Sequence, residues 1–160
     1  MTERPTLTVA VVMEREAAPN RWEDWRHRVA DVLVDTGQFG AEPKLLRDDG
    51  KLAQTLFPGL VVTLFADEAE GYWLNVTSPQ PGWFVRWRLA EDDPSHVVVE
   101  AVTVSYYEAS RWMNGPEPVE TVPMPADALQ WVVEFTQANY KPEPKERKRP
   151  ASFQRPQDRR

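Results

Sequence analysis

The clearest pattern in the chain is the alternation of apolar and polar side chains between residues 82 and 89. One set comprises Trp83, Val85, Trp87 and Leu89, and the other comprises Phe84, Arg86 and Arg88. Successive side chains of a β-strand point to opposite faces of the sheet, so a period of two predicts a strand here. We expect one face of this strand in the core and the other partly solvated.

Segments on either side have the composition of further strands. Residues 72–77 are rich in β-forming side chains and stop at a turn with two prolines and a glycine. Residues 60–65 precede a polar stretch, 66–71, of the length that joins antiparallel neighbours. These segments predict an antiparallel meander, and the valine-rich residues 97–104 predict the next strand.

The N-terminal part of the chain is less regular. Residues 7–13 predict a first strand. Asn20 and Glu23 have the spacing of a capping box, which predicts at most one turn of helix. The pattern of residues 25–34 favours a second strand, although a helix with an apolar stripe that begins at Trp22 fits the same stretch.

Residues 35–58 show no clear period and contain several glycines and prolines. A stretch of this length predicts either a functional loop or a connection. Within it, residues 51–57 are interpreted as a short helical turn. Residues 48–51 are interpreted as a turn rather than a calcium loop, because the other ligands of the calcium pattern are missing.

The C-terminal part predicts two helices and an edge strand. Residues 106–114 end at Gly115 and Pro116, a helix stop signal. Prolines bracket residues 119–122, which restricts a strand there to a sheet edge. A final helix of about four turns starts near Pro125 and is expected to pack on the sheet. Its predicted apolar stripe consists of Leu129, Trp131, Val132, Val133, Phe135 and Thr136.

These elements predict an α+β fold, with an antiparallel sheet or partly closed barrel of six to seven strands and a C-terminal helix packed on it. We expect residues 1–140 to form one globular domain and residues 141–160 to form a basic, proline-rich flexible tail. The formal net charge is −6, but the tail has eight Lys or Arg against three Asp or Glu, which leaves −11 on the domain. A domain this acidic would repel a phosphate backbone, so nucleic acid is not the expected partner.

Few groups in the sequence are suited to catalysis. The absence of cysteine excludes disulfides, thiolate metal ligands and cysteine nucleophiles. His27 and His96 have no second histidine at ligand spacing, and neither a nucleophile elbow nor a phosphate loop occurs. We therefore expect no catalytic residue, no metal site and no cofactor. The apolar run near the N-terminus is too short for a signal peptide or a membrane span, which favours a cytoplasmic location without membrane contact.

The aromatic content between residues 72 and 112 is the one positive indication of function. Aromatic side chains beside Arg86 and Arg88 on an outer face would have the composition that protein interfaces favour. The candidate binding residues are Trp73, Phe84, Arg86, Arg88, Tyr107 and Trp112. The alternatives are that the two arginines bind a small molecule or anionic cofactor, or that they form cross-strand ion pairs with Glu100. Further candidate contacts in the tail are Lys145, Arg147, Lys148, Arg149 and Phe153.

Three blocks of the chain resemble an uncharacterised bacterial family, a domain of unknown function. The blocks are DEAEGYWLNVTSPQPGWFVRWRL, VTVSYYEASRWMNGPEPVETVPMP and YKPEPKERKRPASF. The resemblance covers roughly residues 8 to 153 and supplies no catalytic motif. Genes of this family tend to lie near those for molybdenum or tungsten formate dehydrogenases and their chaperones. The resemblance therefore implies a non-catalytic accessory protein that binds a formate dehydrogenase subunit or its chaperone during assembly, maturation or regulation.

Overall fold

The computed structural model describes residues 4–17 and 25–141. The strands are β1 (Thr6–Ala17), β2 (Trp25–Val34), β3 (Lys44–Asp48), β4 (Leu52–Thr63), β5 (Gly82–Leu89), β6 (Val97–Thr103) and β7 (Val119–Pro123), and the helices are α1 (Ala69–Val76), α2 (Tyr106–Met113) and α3 (Ala126–Asn139). The predicted capping box at Asn20 and Glu23 and the tail residues from Lys145 to Phe153 lie outside the described residues.

The strands form two antiparallel sheets, with the orders β2-β1-β4-β3 and β6-β5-β7. The α+β class and the C-terminal helix are confirmed, but the prediction of one sheet or partly closed barrel of six to seven strands was wrong. The described strands close no barrel. Side chains from both sheets and α3 meet in one buried cluster, so the core lies between the sheets. Burial of both inner faces at once is what two packed sheets achieve.

The predicted strand at residues 82–89 is confirmed, and the face predicted to lie in the core does so along most of β5. Trp83, Val85 and Trp87 are buried in the shared core, while Leu89 at the strand end is 47% exposed. Tyr72 of α1 lies in the same cluster, and burial raises its pKa to about 12. Its hydroxyl therefore stays protonated throughout the physiological range.

β2 is a strand, as its sequence favoured, and it contains a β-bulge. Its register against β1 shifts between Val12 and Met13, which leaves Ala30 as an extra residue on β2. The extra residue reverses the alternation of faces. Val29 and Val32 therefore both point into the core, although they are three residues apart.

β4 runs through a segment whose pattern predicted no strand. Residues 51–57 belong largely to β4, so their interpretation as a helical turn was wrong. The strand continues through Pro58 and Gly59 at a register shift against β1, where a strand tolerates a proline. Gly59 has a φ of +78°, and its N–H donates to the Asp35 carboxylate at 2.9 Å. The predicted turn at residues 48–51 is confirmed as the connection between β3 and β4.

Residues 72–77 are helical almost throughout, so the prediction of a strand and of a meander was wrong. The helix α1 buries Tyr72 and Asn75, three residues apart, on one face. The Asn75 amide donates to the carbonyls of Gly82 and Val104 at 2.9 and 3.0 Å and accepts the Gly82 N–H at 3.1 Å. These tertiary hydrogen bonds outweigh the local β preference of the neighbouring residues.

The predictions of β1, β6, β7, α2 and α3 are confirmed, whereas β3 lies within residues 35–58, which were predicted as a loop or connection. α2 starts after Ser105, whose hydroxyl accepts the Glu108 N–H, and β7 is an edge strand of the second sheet. α3 starts after Pro125, and Ala128, Val132 and Thr136 form its buried face. No helix within the described residues is long and apolar enough to cross a bilayer.

Candidate functional site

The predicted binding residues on β5 lie close together but are engaged within the fold. The Glu100 carboxylate on β6 lies 3.3 Å from Arg86 Nε and 3.0 Å from Arg88 Nε, which confirms the cross-strand ion pairing. The Arg86 guanidinium stacks on the Trp112 ring, 4.6 Å from its centroid. Phe84 is buried. One carboxylate thus balances part of the charge of both arginines.

The other two predicted residues lie on helices and form a separate cluster. The Trp73 ring of α1 stacks on Tyr140, with 5.6 Å between the centroids. The Tyr107 hydroxyl of α2 is hydrogen-bonded to the Glu70 carboxylate, and this hydrogen bond is the main reason that the pKa of Tyr107 is raised. The structure therefore divides the predicted residues into two groups. Phe84, Arg86 and Arg88 lie on β5, with Trp112 against Arg86, and Trp73 and Tyr107 lie on the surface of α1 and α2. The predicted tail contacts lie outside the described residues.

An open groove that the sequence did not predict lies beside β2. It has a volume of about 710 Å³. Its lining consists of Trp25, Arg26, His27, Trp87, Arg88, Leu89, Pro116, Glu117 and Pro118. Three chain segments build it: the start of β2, the end of β5, and the connection between α2 and β7. We call this the β2 groove.

Trp87 and Glu120 hold the base of the β2 groove in place. Trp87 is 7% exposed, and its indole Nε1–H donates to Glu120 Oε2 at 2.7 Å. The same carboxylate accepts the backbone N–H of Val29 at 3.1 and 3.2 Å. One side chain of β7 thus bonds both to β5 and to β2, which fixes the spacing of the two sheets at this edge.

His27 connects the base of the groove to the loop between β5 and β6. Its ring lies 6.0 Å from the Trp87 ring, and its Nε2 donates to the carbonyl of Pro94 at 3.0 Å. Burial lowers the pKa of His27, and the charges of Arg15 and His96 act in the same direction, while the Pro94 hydrogen bond opposes them. The neutral ring is therefore the favoured form near neutral pH.

The backbone of β2 is open toward the groove. β2 is an outer strand of its sheet, and the Val29 N–H points away from β1 toward Glu120. Alternate residues of an antiparallel strand direct their N–H and C=O groups to the same side. The backbone groups of Trp25 and His27 therefore also point outward. Arg15 packs on Trp25, 4.4 Å from the ring centroid, and orients that ring.

The charge of the groove differs from that of the domain. Two arginines, Arg26 and Arg88, line it together with one carboxylate, that of Glu117, and Arg88 is paired with Glu100. None of the ion pairs found among the described residues includes Arg26. Arg26 is therefore the lining cation that can attract an anionic group of a partner.

Two further polar clusters stabilise the fold. Glu14 on β1 is paired with Arg28 and hydrogen-bonded by Gln54, and the Gln54 bond is the main cause of its lowered pKa. Glu68 accepts hydrogen bonds from Ser105 and Arg111 at 3.1 Å each, which ties the start of α1 to α2. No group of three or more His, Asp or Glu side chains within the described residues could hold a metal ion.

Sequence reasoning missed the β2 groove because its parts are far apart in the chain. Trp25, Trp87 and Pro116 were each noted, but only as parts of predicted elements. Neither a period nor a spacing relates residues 62 and 29 positions apart. The one local signal is the aromatic and basic pair Trp25 and Arg26 at the start of a predicted strand.

Comparison with known proteins gives a family but no characterised relative. No curated protein and no solved structure matches the chain. Residues 8–149 match the model of a family described as "Protein of unknown function (DUF3305)". That range contains every described strand and helix except the first two residues of β1. The chain therefore belongs to the DUF3305 family, whose description names no activity.

Proposed function

We propose that the protein is a non-catalytic accessory protein that binds another protein, and that the β2 groove is the contact site. The observation that carries this proposal is the combination of an open aromatic groove with outward-facing backbone groups of β2. Aromatic and arginine side chains are enriched at protein interfaces, and this groove contains both.

The groove favours a protein partner over a small molecule. Trp25 and Leu89 line it near the surface, and its wall includes main-chain donors and acceptors of an outer strand. A backbone edge is recognised by another backbone. The arginine pair on β5 is a weaker candidate for an anion, because Glu100 already contacts both guanidinium groups.

The finer part of the proposal concerns the partner. We infer a formate dehydrogenase subunit or its dedicated chaperone, with a role in assembly, maturation or regulation of a metal-dependent formate dehydrogenase. The support is the resemblance of the three sequence blocks to a family whose genes lie near those of such enzymes. The two parts of the proposal are independent, since a groove can bind a protein of another system.

Affinity capture from the native host tests both parts. The bait is the full chain with Arg26→Glu or with Arg47→Glu, beside the unchanged protein. Arg47 lies on β3, is exposed and undergoes the same change of charge outside the groove, so it is the matched control. We expect dehydrogenase subunits or their chaperone with the unchanged and Arg47→Glu baits, and at least a fivefold loss with Arg26→Glu.

The outcomes separate the two parts of the proposal. Equal recovery with all three baits would show that the groove is not the contact site. Recovery of a reproducible partner that is unrelated to formate dehydrogenase, and that is lost with Arg26→Glu, would keep the groove and overturn the identity of the partner. Each bait is first checked by circular dichroism, since the comparison requires folded protein.

A further inference from the structure

We propose that the partner presents an extended segment that adds to β2 as a further strand, with an acidic side chain next to Arg26. This inference rests on the proposed function, and it adds the mode of binding and the chemistry of the bound segment. The occupant is an extended peptide with alternating apolar and acidic residues.

The backbone geometry of β2 supports strand addition. Within the described residues, the Glu120 carboxylate is the only group that forms a hydrogen bond with the outer backbone edge of this part of β2, and it accepts the Val29 N–H. Arg28 and Arg26 pair with Glu14 and Glu16 of β1, which leaves the N–H and C=O groups of His27 and Trp25 on the outer side. An outer strand with free backbone groups is a template for another strand.

The opposite wall of the groove has few backbone N–H donors. It is formed by Pro116, Glu117 and Pro118, and the two prolines have no backbone N–H. The carbonyl of Pro118 already accepts the Trp87 N–H at 3.2 Å. A strand in the groove therefore obtains its ladder of hydrogen bonds from β2 and mainly side-chain contact from this wall.

The side chains of the groove define what the segment must contain. On the inner side, Trp25, Trp87 and Leu89 provide an apolar surface. The side chains of Arg26 and Arg28 lie on the face of β2 opposite to Trp25, and the Arg28 guanidinium is already paired with Glu14. Alternating side chains of the added strand would place apolar residues on the tryptophan side and a carboxylate next to Arg26.

The length of the free edge limits the affinity. From Trp25 to Arg28 the strand extends about 10 Å at a rise of about 3.3 Å per residue. Beyond that point Glu120 occupies the edge. The segment therefore gains a few ladder bonds only, and we expect micromolar rather than nanomolar binding of an isolated peptide.

The test uses a capped eight-residue peptide of alternating Val and Glu, and the full chain labelled for NMR. We expect saturable binding with slower hydrogen exchange at the His27 amide. Methylation of two alternate backbone nitrogens of the peptide removes the ladder donors and should weaken binding roughly tenfold. Arg26→Glu should weaken the binding of the Val–Glu peptide about fivefold and strengthen the binding of a Val–Lys peptide. Arg47→Glu should change the affinity for neither peptide.

The results also distinguish this inference from the proposed function. If the N-methylated peptide binds as well as its parent, if no peptide binds, or if the protected amides lie on β3, strand addition to β2 is overturned. In each of these cases the proposed function still stands when Arg26→Glu abolishes capture of the partner. Loss of the proposed function is instead shown by capture that is insensitive to Arg26→Glu.

Discussion

β2 and β3 are the two outer strands of the same sheet, and they differ in burial and in how their free backbone edges are protected. All five residues of β3 are exposed, including Leu45 at 64%. β2 has ten residues, and two of them, Val29 and Val32, belong to the core. The strands occupy equivalent positions in the topology but contribute very differently to stability.

The difference shows two ways in which a sheet edge is protected. β3 is short, carries Lys44, Arg47 and Asp48, and is bulged at Leu46, all of which discourage pairing with another strand. β2 is blocked at Val29 by the Glu120 carboxylate and is open before it. A strand blocked over only part of its length is protected from extended aggregation and still accessible to a short segment.

The largest expected effect is that of Trp87→Ala, under the β2 groove. Trp87 is 7% exposed, and the change creates a cavity and leaves Glu120 without its indole donor. We expect the free energy of unfolding in urea to fall by about 3–5 kcal/mol. Trp73→Ala is the control, because Trp73 is 40% exposed on α1. A loss below about 1 kcal/mol for Trp87→Ala would mean that β5 does not support the edge of β2.

The next effect is that of Glu120→Ala. The change removes the acceptor of both the Val29 N–H and the Trp87 indole, and we expect a loss of about 1–3 kcal/mol in the free energy of unfolding. Glu120→Gln keeps one acceptor oxygen and should lower the free energy of unfolding by a smaller amount. Glu117→Ala, on the rim of the groove, is the matched control and should lie within about 0.5 kcal/mol of the unchanged protein. Equal losses for Glu117→Ala and Glu120→Ala would contradict the bridging role.

A smaller effect is expected from pH through His27. Burial holds the folded-state pKa of His27 below its ordinary 6.5. The unfolded chain therefore binds more protons below pH 6.5, and the free energy of unfolding should decrease as pH falls from 7.5 to 5.5. His27→Gln should flatten this decrease, while His96→Gln, at an exposed position, should keep it. A pH slope unchanged by His27→Gln would assign the titration to another group.

The smallest effect is expected on β3. Leu45→Thr and Leu46→Thr change exposed side chains and introduce the β-branched shape that strands favour. We expect each to alter the free energy of unfolding by no more than about 0.5 kcal/mol. A loss above about 1.5 kcal/mol for either would show that the leucines of β3 are covered in solution, which would remove the contrast with β2.

Local patterns predicted those elements whose side chains or caps identify them without help from distant residues. The alternation in β5, the valines of β6 and the prolines around β7 belong to this class, as do the caps of α2 and α3. α1 does not, because Asn75 forms its hydrogen bonds to Gly82 and Val104. β4 does not either, because Pro58 and Gly59 end a strand in most contexts and here form a bulge.

The candidate site was less predictable than the fold. The sequence correctly indicated the pairing of Arg86 and Arg88 with Glu100, which lies on the adjacent strand at the register shift between the partners of Arg86 and Trp87. It could not indicate that Trp25 and Leu89 line one groove, because that depends on how two sheets pack.

By itself the sequence determined an α+β chain with a two-faced strand at residues 82–89, a terminal helix and an acidic domain, because periodicity, caps and charge are local properties. Only the tertiary structure decided that the strands divide into two sheets and that residues 72–76 are helical. It also decided that the open groove lies beside β2. These features depend on contacts between segments far apart in the chain, whose free energies exceed the local preferences that a sequence pattern expresses.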